Sequence, residues 1–264
     1  MIPKIIHYCW FGGAEKPASV KRCIKNWKKV CPDYEIREWT ENDFDIRIND
    51  YCREAYEAKV WGFVPDYIRL WIIYHHGGIY LDTDVQIVRE FDPLLELPGF
   101  CGFETKENTS DKNYYVNFGQ GFAAEKGNPI IGAHLHLYDN MHFVNPDGTQ
   151  NRLPSPNYTT SILEKFGLDR TRDTQQNLDW ITVFPTDYFC PKSFQTGLIN
   201  ATKNTFSIHH FDGSWCDDTQ VLYKQNRWKK EQLHYWLHLP NRLLCGLLGK
   251  GRYEKLKKLL KRGK

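Results

Sequence analysis

No two of the eight cysteines in this sequence form a Cys-x-x-Cys pair, and their spacing fits no zinc motif. A chain of 264 residues is too long to depend on a disulfide framework, so we expect reduced thiols in a cytoplasmic protein. No apolar stretch approaches the roughly 18 residues that a transmembrane helix needs. The first residues lack the small-residue cleavage site of a signal peptide, and neither repeats nor low-complexity segments occur.

The composition is that of an ordinary globular protein, with 41% hydrophobic and 25% charged residues. It excludes disordered, collagen-like and coiled-coil classes. The length suffices for one large domain, or two small ones, with a substantial buried core.

The net charge of +3 conceals two regions of opposite charge. Residues 224–264 contain 13 Lys and Arg against two acidic residues, a net charge of +11, whereas the rest contains 22 against 30, a net charge of −8. We therefore predict a body over residues 1–223 and a basic helical tail over residues 224–264.

Apolar residues recur at helical spacing along the tail, with basic residues between them and breaks at Pro240, Gly249 and Gly251. Such amphipathic pieces suit an anionic membrane surface. A helix that packs on the body and keeps its basic face in solvent is the alternative. No nucleic-acid recognition motif accompanies the charge, so we expect no nucleic-acid partner.

The first forty residues predict a β-α-β unit, and hence an α/β fold with a parallel sheet. Residues 5–11 are rich in β-branched and aromatic side chains, which indicates a strand, and residues 34–39 alternate as a second strand. Between them, residues 19–30 have the apolar spacing of a helix.

Helical periodicity returns over residues 66–76, and Gly77 is placed to end that helix in a left-handed conformation. Residues 79–81 then predict a short buried strand. Residues 145–158 are rich in Pro, Asn and Asp and are predicted to form a surface loop.

Two carboxylates, Asp82 and Asp84, follow that short strand. Parallel α/β sheets bind their ligands at the carboxyl ends of the strands. Acidic groups this close repel each other, and a divalent cation resolves the repulsion. We expect a turn to begin here and the two carboxylates to converge on one ligand. A surface turn with local side-chain hydrogen bonds is the alternative.

The preceding helix carries a second candidate pair, Asp66 and Arg69. Residues three apart share one face of a helix. An ordinary intrahelical ion pair would account for this spacing. We expect the pair to belong to the same site as Asp82 and Asp84. One helix and a tight turn separate the pair from Asp82, so both can lie at one edge of the sheet.

These residues resemble the signature of family 32 glycosyltransferases, which include mannosyltransferases and bacterial capsular-polysaccharide transferases and are related to clostridial glucosylating toxins. The signature lies in residues 64–84, and residues 2–12, 26–28 and 32–34 also match, so the resemblance covers about the first 130 residues plus a patch near 209–215. It implies a Rossmann-like nucleotide-sugar transferase fold of the GT-A type, with a mostly parallel central sheet. It also implies a retaining transfer that depends on Mn²⁺ or Mg²⁺.

The resemblance implies a role for each residue of the motif. Trp10 would stack on the nucleotide base, although a buried core position is equally compatible with a tryptophan. Asp66 and Arg69 would contact the donor sugar hydroxyls and the diphosphate, to which arginine can bind in a bidentate manner. Asp82 would contact the ribose and the metal, and Asp84 would ligate the metal directly.

Two further segments resemble family elements. Residues 118–130 are similar to the segment beneath the donor sugar, and Gln120 is the predicted donor contact there, with Asn117 as the alternative. Residues 208–215 resemble the loop that closes over the diphosphate. In that loop Trp215 would cover the leaving group and His210 would complete the metal site, with His209 as the alternative.

The implied activity is transfer of a hexose or N-acetylhexosamine from a nucleotide sugar to a glycan or lipid-linked oligosaccharide, in surface polysaccharide synthesis. Likeness to the bacterial members favours a UDP-sugar donor. The expected location is the cytoplasm, at the inner face of the cell membrane. A glycoside hydrolase is disfavoured, because carboxylates two residues apart are poorly placed for the ~5–9 Å separation that hydrolysis requires. A non-catalytic carbohydrate-binding module is the other alternative.

Overall fold

The computed structural model describes residues 1–105, 112–213 and 218–254. The chain divides into two compact units. The first contains Met1–Phe194 and Ile199–Asp217, and the second contains Gln195–Leu198 and Asp218–Lys264.

The opening β-α-β unit is present as the sequence predicts. Strand β1 (Ile5–Cys9) leads into helix α1 (Ala18–Val30), which returns the chain to β2 (Glu35–Trp39). Strands β1 and β2 pair in parallel, with Ile5 opposite Glu35 and Cys9 opposite Trp39. The helix buries its apolar stripe, including Trp27, and leaves its lysines exposed.

The remaining elements of the first unit follow in chain order. The strands are β3 (Gly78–Tyr80), β4 (Val85–Ile87), β5 (Gly99–Glu104), β6 (Tyr115–Val116), β7 (Phe122–Ala124), β8 (Gln176–Leu178), β9 (Ile181–Phe184) and β10 (Ser207–His209). The helices are α2 (Asp50–Glu57), α3 (Pro65–His76), α4 (Pro129–Leu137), α5 (Ser155–Lys165) and α6 (Thr186–Phe189).

The central sheet has the strand order β2-β1-β3-β7-β5-β9-β8, with β6 paired to β5. Strands β3 and β5 are both antiparallel to β7, so they run in the same direction, and β9 is parallel to β5. Five strands (β1, β2, β3, β5 and β9) therefore share one direction, and their carboxyl ends lie at one edge of the sheet. The predicted α/β class with a mostly parallel sheet is confirmed.

Alternation along the central strands divides the core between the two faces of the sheet. Ile6 and Leu81 pack with Trp27 of α1 on one face. Tyr80 packs with Ile68 and Ile72 of α3 in the other cluster. Helices therefore cover both faces, as expected for a sheet of buried parallel strands.

Gly77 ends α3 as predicted. Its φ of +69° is in the left-handed region, and its N–H donates to the carbonyl of Ile73. The helix and β3 are thus joined by a tight turn, so the chain reverses at once. The N-terminal turn of α3 consequently lies near the carboxyl end of β3.

The loop predicted over residues 145–158 is shorter in the structure. Helix α5 begins at Ser155, directly after Pro154, and contains Pro156 in its first turn. A proline there costs no hydrogen bond, because the first N–H groups of a helix have no partner within the helix. The prolines that favoured a loop therefore mark the start of a helix.

The second unit contains α7 (Asp218–Leu237) and α8 (Leu239–Leu248). The predicted domain boundary between residues 223 and 224 lies inside α7, so the helical unit begins at Asp218 instead. Among the described residues, no helix combines the length and the apolarity needed to span a bilayer.

Candidate functional site

Asp82 and Asp84 lie in a turn directly after β3. The N–H of Asp82 donates to the carbonyl of Gly119 at 2.9 Å, and the N–H of Val85 donates to the carbonyl of Asp82 at 3.1 Å. The predicted turn is therefore present, and it places both carboxylates near each other. The acidic pair therefore lies at the carboxyl edge of the sheet.

A histidine from a distant strand joins the two carboxylates. Strand β10 pairs antiparallel with β4, and this register brings His209 opposite Val85. His209 Nε2 lies 3.3 Å from Asp84 Oδ1. One potential ligand atom each of Asp82, Asp84 and His209 lies within 4.8 Å of the others. Two carboxylates and an imidazole are a donor set that suits Mn²⁺ and also accommodates Mg²⁺, so the residues fit the implied cofactor.

The structure favours His209 over His210 as the histidine of this site. The ring of His210 lies 3.0 Å from Gln86 Oε1, and its backbone N–H donates to the carbonyl of Asp84. The ring of His209, the last residue of β10, contacts Asp84 instead. The preference for His210 is therefore corrected to the alternative, His209.

Electrostatic interactions couple Asp84 to His209. Burial would raise the pKa of Asp84, but the His209 ring and hydrogen bonds, including one from the N–H of Asp212, hold that pKa well below its usual range. Burial would lower the pKa of His209, but Asp84, Asp82 and Glu104 raise it. The buried site thus favours a positive charge next to Asp84, whether a proton on His209 or a cation.

Asp66 and Arg69 connect the first turn of α3 to the acidic pair. Arg69 Nη2 donates to Asp66 Oδ1 at 2.6 Å, and Arg69 Nη1 lies 3.8 Å from Asp82 Oδ2. Both side chains are about 95% buried, at 5% and 6% exposure. The pair is therefore an intrahelical ion pair and also part of the site at the sheet edge.

The surroundings of Asp66 raise the pKa of its carboxyl group. Burial raises the pKa of Asp66 to about 6, against the opposing charge of Arg69. The charge of Asp82 acts in the same direction as burial. Asp66 can therefore change its protonation state near neutral pH.

Gly119 is a functional position that the sequence reasoning missed. A Cβ atom on Gly119 would overlap the Asp82 carboxylate and lie 3.1 Å from Arg69 Nη1. Only glycine lets the backbone approach these groups closely enough for its carbonyl to accept from the N–H of Asp82. The glycines of residues 118–121 were a signal for close packing, but not for this contact.

Gln120, the predicted donor contact, is fully buried. Its Nε2 donates to the carbonyls of Gly102 at 2.8 Å and Phe103 at 3.0 Å. The side chain therefore has no surface to offer a ligand, and this prediction is corrected. Asn117, the alternative, is partly exposed and donates to Glu104 Oε2 at 3.1 Å.

The two tryptophans predicted to contact the donor are Trp10 and Trp215. Trp10 follows β1 at the same sheet edge, is half-buried, and donates from its indole N–H to the carbonyl of Ala14 at 2.7 Å. It also packs against the core cluster that contains Trp27. Trp215 lies outside the described residues.

The segment that contains these acidic residues matches a known family. Residues 17–99 match the family model described as the glycosyltransferase sugar-binding region containing the DXD motif. That match includes Asp66, Arg69, Asp82 and Asp84. Residues 17–99 of this chain thus match the DXD sugar-binding region of a glycosyltransferase family. The resemblance inferred from the sequence is confirmed.

Two curated proteins are also similar to this chain in sequence. Inositol phosphoceramide mannosyltransferase 3 of Schizosaccharomyces pombe is 33% identical over 49% of this chain, which spans 35% of that relative's length. The uncharacterized glycosyltransferase L373 of Acanthamoeba polyphaga mimivirus is 28% identical over 66% of this chain and 69% of its own length. The chain thus spans about a third of the first relative and about two thirds of the second.

Solved glycosyltransferase structures show a distant likeness. The PaToxG glycosyltransferase has a TM-score of 0.49 and 21% identity, over 62% of this chain and 69% of that one. A glycosyltransferase involved in glycosylation of the major capsid of PBCV-1 has a TM-score of 0.48 and 12% identity, over 88% of this chain and 100% of that one.

The geometry predicts different results for the two histidines. His209→Ala should weaken Mn²⁺-dependent nucleotide binding by ~10–100-fold, because it removes one of three potential ligands. His210→Ala should change it less than about threefold, since that ring faces Gln86. Titration of UDP and of GDP at fixed Mn²⁺, followed by calorimetry, measures both. Equal losses in the two variants would contradict the assignment.

Proposed function

We propose that this protein is a metal-dependent glycosyltransferase that moves a hexose or N-acetylhexosamine from a nucleotide sugar to a glycan or lipid-linked acceptor. The observation that carries the proposal is the convergence of Asp82, Asp84 and His209 next to the buried Arg69. The three ligands would bind a divalent cation, and the guanidinium of Arg69 can bind phosphate oxygens in a bidentate manner. Together these groups suit a nucleoside diphosphate.

The reaction requires stabilisation of a leaving diphosphate. When bound by Asp82, Asp84 and His209, Mn²⁺ or Mg²⁺ would supply positive charge to the departing phosphate oxygens. Arg69 is positioned by Asp66 and by the carbonyl of Pro65, to which its Nε donates. A preorganised guanidinium stabilises developing negative charge without reorganisation, so a side-chain acid for the leaving group is not required.

Retention of configuration is proposed from the family resemblance. The acceptor hydroxyl would attack from the face that the diphosphate leaves. The family resemblance also supports Asp66 as the acceptor of a hydrogen bond from a donor sugar hydroxyl. Asp82 would face the ribose as well as the metal.

The donor can be identified by thermal shift. We propose a UDP-sugar, and GDP-mannose is the principal competitor because several relatives are named mannosyltransferases. At a hundredfold excess over Kd, a ligand adds ~2.7 kcal/mol to the free energy of unfolding. For a chain of this size that corresponds to a Tm increase of roughly 5–10 °C.

The screen would use UDP-glucose, UDP-galactose, UDP-N-acetylglucosamine and GDP-mannose, each with and without Mn²⁺. A Mn²⁺-dependent shift with one nucleotide sugar supports the proposal. A lectin-like module would respond to free sugars and ignore nucleotides. A glycoside hydrolase would cleave a glycoside that has no nucleotide and would need no metal. Either of these results would exclude the transferase.

The pKa of Asp66 predicts how activity depends on pH. With saturating Mn²⁺, kcat/KM should fall by about tenfold for each pH unit below 6, because protonation removes the carboxylate that holds Arg69 and the donor.

The stability of the fold depends on the protonation of Asp66 in the opposite direction. The folded state retains the proton between about pH 4 and 6, so this group's contribution to the free energy of unfolding falls as the pH rises through that interval. In Asp66→Asn the activity should be low and independent of pH over this range. A wild-type profile that is flat from pH 5 to 7 would contradict the prediction.

The second unit supports a proposal about location. Its helices expose large apolar side chains, which are Leu233 (61%), Trp236 (64%), Leu237 (67%), Leu243 (60%) and Leu247 (84%). Basic residues lie among them, and residues 224–264 carry a net charge of +11. Exposed Trp and Leu with interspersed Lys and Arg suit an anionic bilayer surface, where each basic residue contributes ~1 kcal/mol. We place the enzyme at the inner face of the cell membrane, close to a lipid-linked acceptor.

Vesicle co-sedimentation tests this location with full-length protein. Vesicles with 30% anionic lipid should bind the wild type, whereas purely zwitterionic vesicles should bind it at least tenfold more weakly. Lys229→Glu combined with Lys230→Glu should reduce binding to the anionic vesicles by about tenfold. The matched control is Lys28→Glu combined with Lys29→Glu, an exposed pair in α1. Equal binding by both double variants would refute the membrane surface.

A further inference from the structure

Glu104 is a carboxylate at the sheet edge that neither the motif nor the family match includes. It is the last residue of β5 and pairs with Tyr115 of β6. Because β5 and β3 run in the same direction, the end of β5 lies at the same edge of the sheet as Asp82 and Asp84. Glu104 therefore belongs to the rim where ligands of α/β sheets bind.

Hydrogen bonds connect Glu104 to the acidic pair. Asn117 Nδ2 donates to Glu104 Oε2 at 3.1 Å, and Asn117 Oδ1 accepts from the N–H of Gly119 at 2.8 Å. The carbonyl of Gly119 in turn accepts from the N–H of Asp82. The position of Glu104 relative to Asp82 is therefore fixed by the backbone and one amide.

Among the residues that the structure describes, no Lys or Arg forms an ion pair with Glu104 that would explain its charge. Burial raises its pKa, and His209, across the site, is the one charged group among the described residues that lowers it. A glutamine could accept the hydrogen bond from Asn117 equally well and would avoid the cost of burying a charge. The fold alone therefore does not require a carboxylate here.

The chemistry of the surroundings restricts what this group can bind. Another carboxylate, in addition to Asp66, Asp82 and Asp84, would repel a diphosphate, which Arg69 and the cation site are placed to hold. Sugar hydroxyls, in contrast, donate strong hydrogen bonds to carboxylates. The side chain is also partly exposed, so it is accessible to a bound sugar.

We propose that Glu104 accepts a hydrogen bond from a hydroxyl group of the hexosyl residue in the site and so helps to select the sugar. This assignment rests on the proposed transferase function and deepens it. It divides the site between two tasks. Asp82, Asp84 and His209 would hold the cation and Arg69 the diphosphate, whereas Glu104, together with Asp66, would hold the sugar.

The test compares nucleotides with nucleotide sugars by calorimetry at saturating Mn²⁺. The probes are UDP, UDP-glucose, UDP-galactose, UDP-N-acetylglucosamine, GDP and GDP-mannose. In Glu104→Gln, affinity for the free nucleotide should stay within twofold of the wild type, whereas affinity for the preferred nucleotide sugar should fall by at least tenfold. Glu35→Gln, an exposed position on β2, is the matched control and should change neither value.

Each outcome bears on one of the two proposals. If Glu104→Gln weakens nucleotide and nucleotide sugar equally, Glu104 supports the metal site or the fold, and the sugar contact is overturned. Unchanged affinity for every probe would overturn it as well. A wild type that binds none of these probes with Mn²⁺ would overturn the proposed function itself, and the sugar contact with it. Tm values of both variants within 3 °C of the wild type would show that the fold is intact.

Discussion

Asp84→Asn is expected to abolish metal-dependent transfer, with a loss of at least about 1000-fold in kcat while the fold survives. Asp84 lies 3.3 Å from His209, and its Oδ2 accepts from the N–H of Asp212 at 2.8 Å. Asparagine keeps the shape and can still accept one hydrogen bond, but it loses the negative charge that would hold a cation. Electrostatic stabilisation of the leaving group is the largest contribution to catalysis in such a site, so its loss should dominate.

Turnover assays with and without Mn²⁺, together with a thermal unfolding curve, measure this result. Asp179→Asn is the matched control, because Asp179 is an exposed residue in the turn between β8 and β9. It should leave both activity and Tm unchanged. Substantial turnover by Asp84→Asn, with or without Mn²⁺, would refute the metal site.

Gly119→Ala should reduce kcat/KM by on the order of 100-fold, although only one methyl group is added. The new Cβ would overlap the carboxylate of Asp82 and press on Arg69. The backbone at Gly119 does not adopt a positive φ, so the effect arises from contact alone. Asp82 must move from its position beside Asp84 and His209, and a displacement of about 1 Å in a preorganised site is enough to cause this loss.

Gly246→Ala provides the control for a change from glycine to alanine. A Cβ on Gly246 would meet no atom within 4 Å, and the position lies in helix α8. This variant should retain full activity and gain slightly in stability, because alanine favours the helix by ~1 kcal/mol over glycine. If Gly119→Ala were as active as Gly246→Ala, the close approach of Gly119 to Asp82 would have no functional role.

Local patterns in the sequence were sufficient to predict the framework of the site. The strands and helix of the opening β-α-β unit have periodicities of two and 3.6 residues, and these depend on neighbours along the chain. The left-handed Gly77 and the pairing of Asp66 with Arg69 are equally local, since each involves residues at most four apart. For the same reason the acidic turn could be placed at the end of β3.

The corrections concern contacts between distant segments. Which of His209 and His210 faces the carboxylates depends on the register of β10 against β4, and a shift of one residue would reverse it. Gln120 is the donor contact that the family resemblance predicts, but packing against β5 buries it. The prolines near Ser155 predict a loop, but they mark the start of α5. Proline is compatible with a loop and also with the first turn of a helix, so the residue type alone does not distinguish the two.

The sequence by itself determined that the protein has an α/β fold, that Asp82 and Asp84 follow a buried strand, and that Asp66 and Arg69 share one helix face. These are properties of short segments, and their periodicity and turn chemistry are written in consecutive residues. The tertiary structure alone decided that His209 completes the acidic pair, that Gly119 must lack a side chain, and that Glu104 lies at the same sheet edge. Strand pairing and close packing bring these residues together from distant parts of the chain, and no local pattern specifies that register.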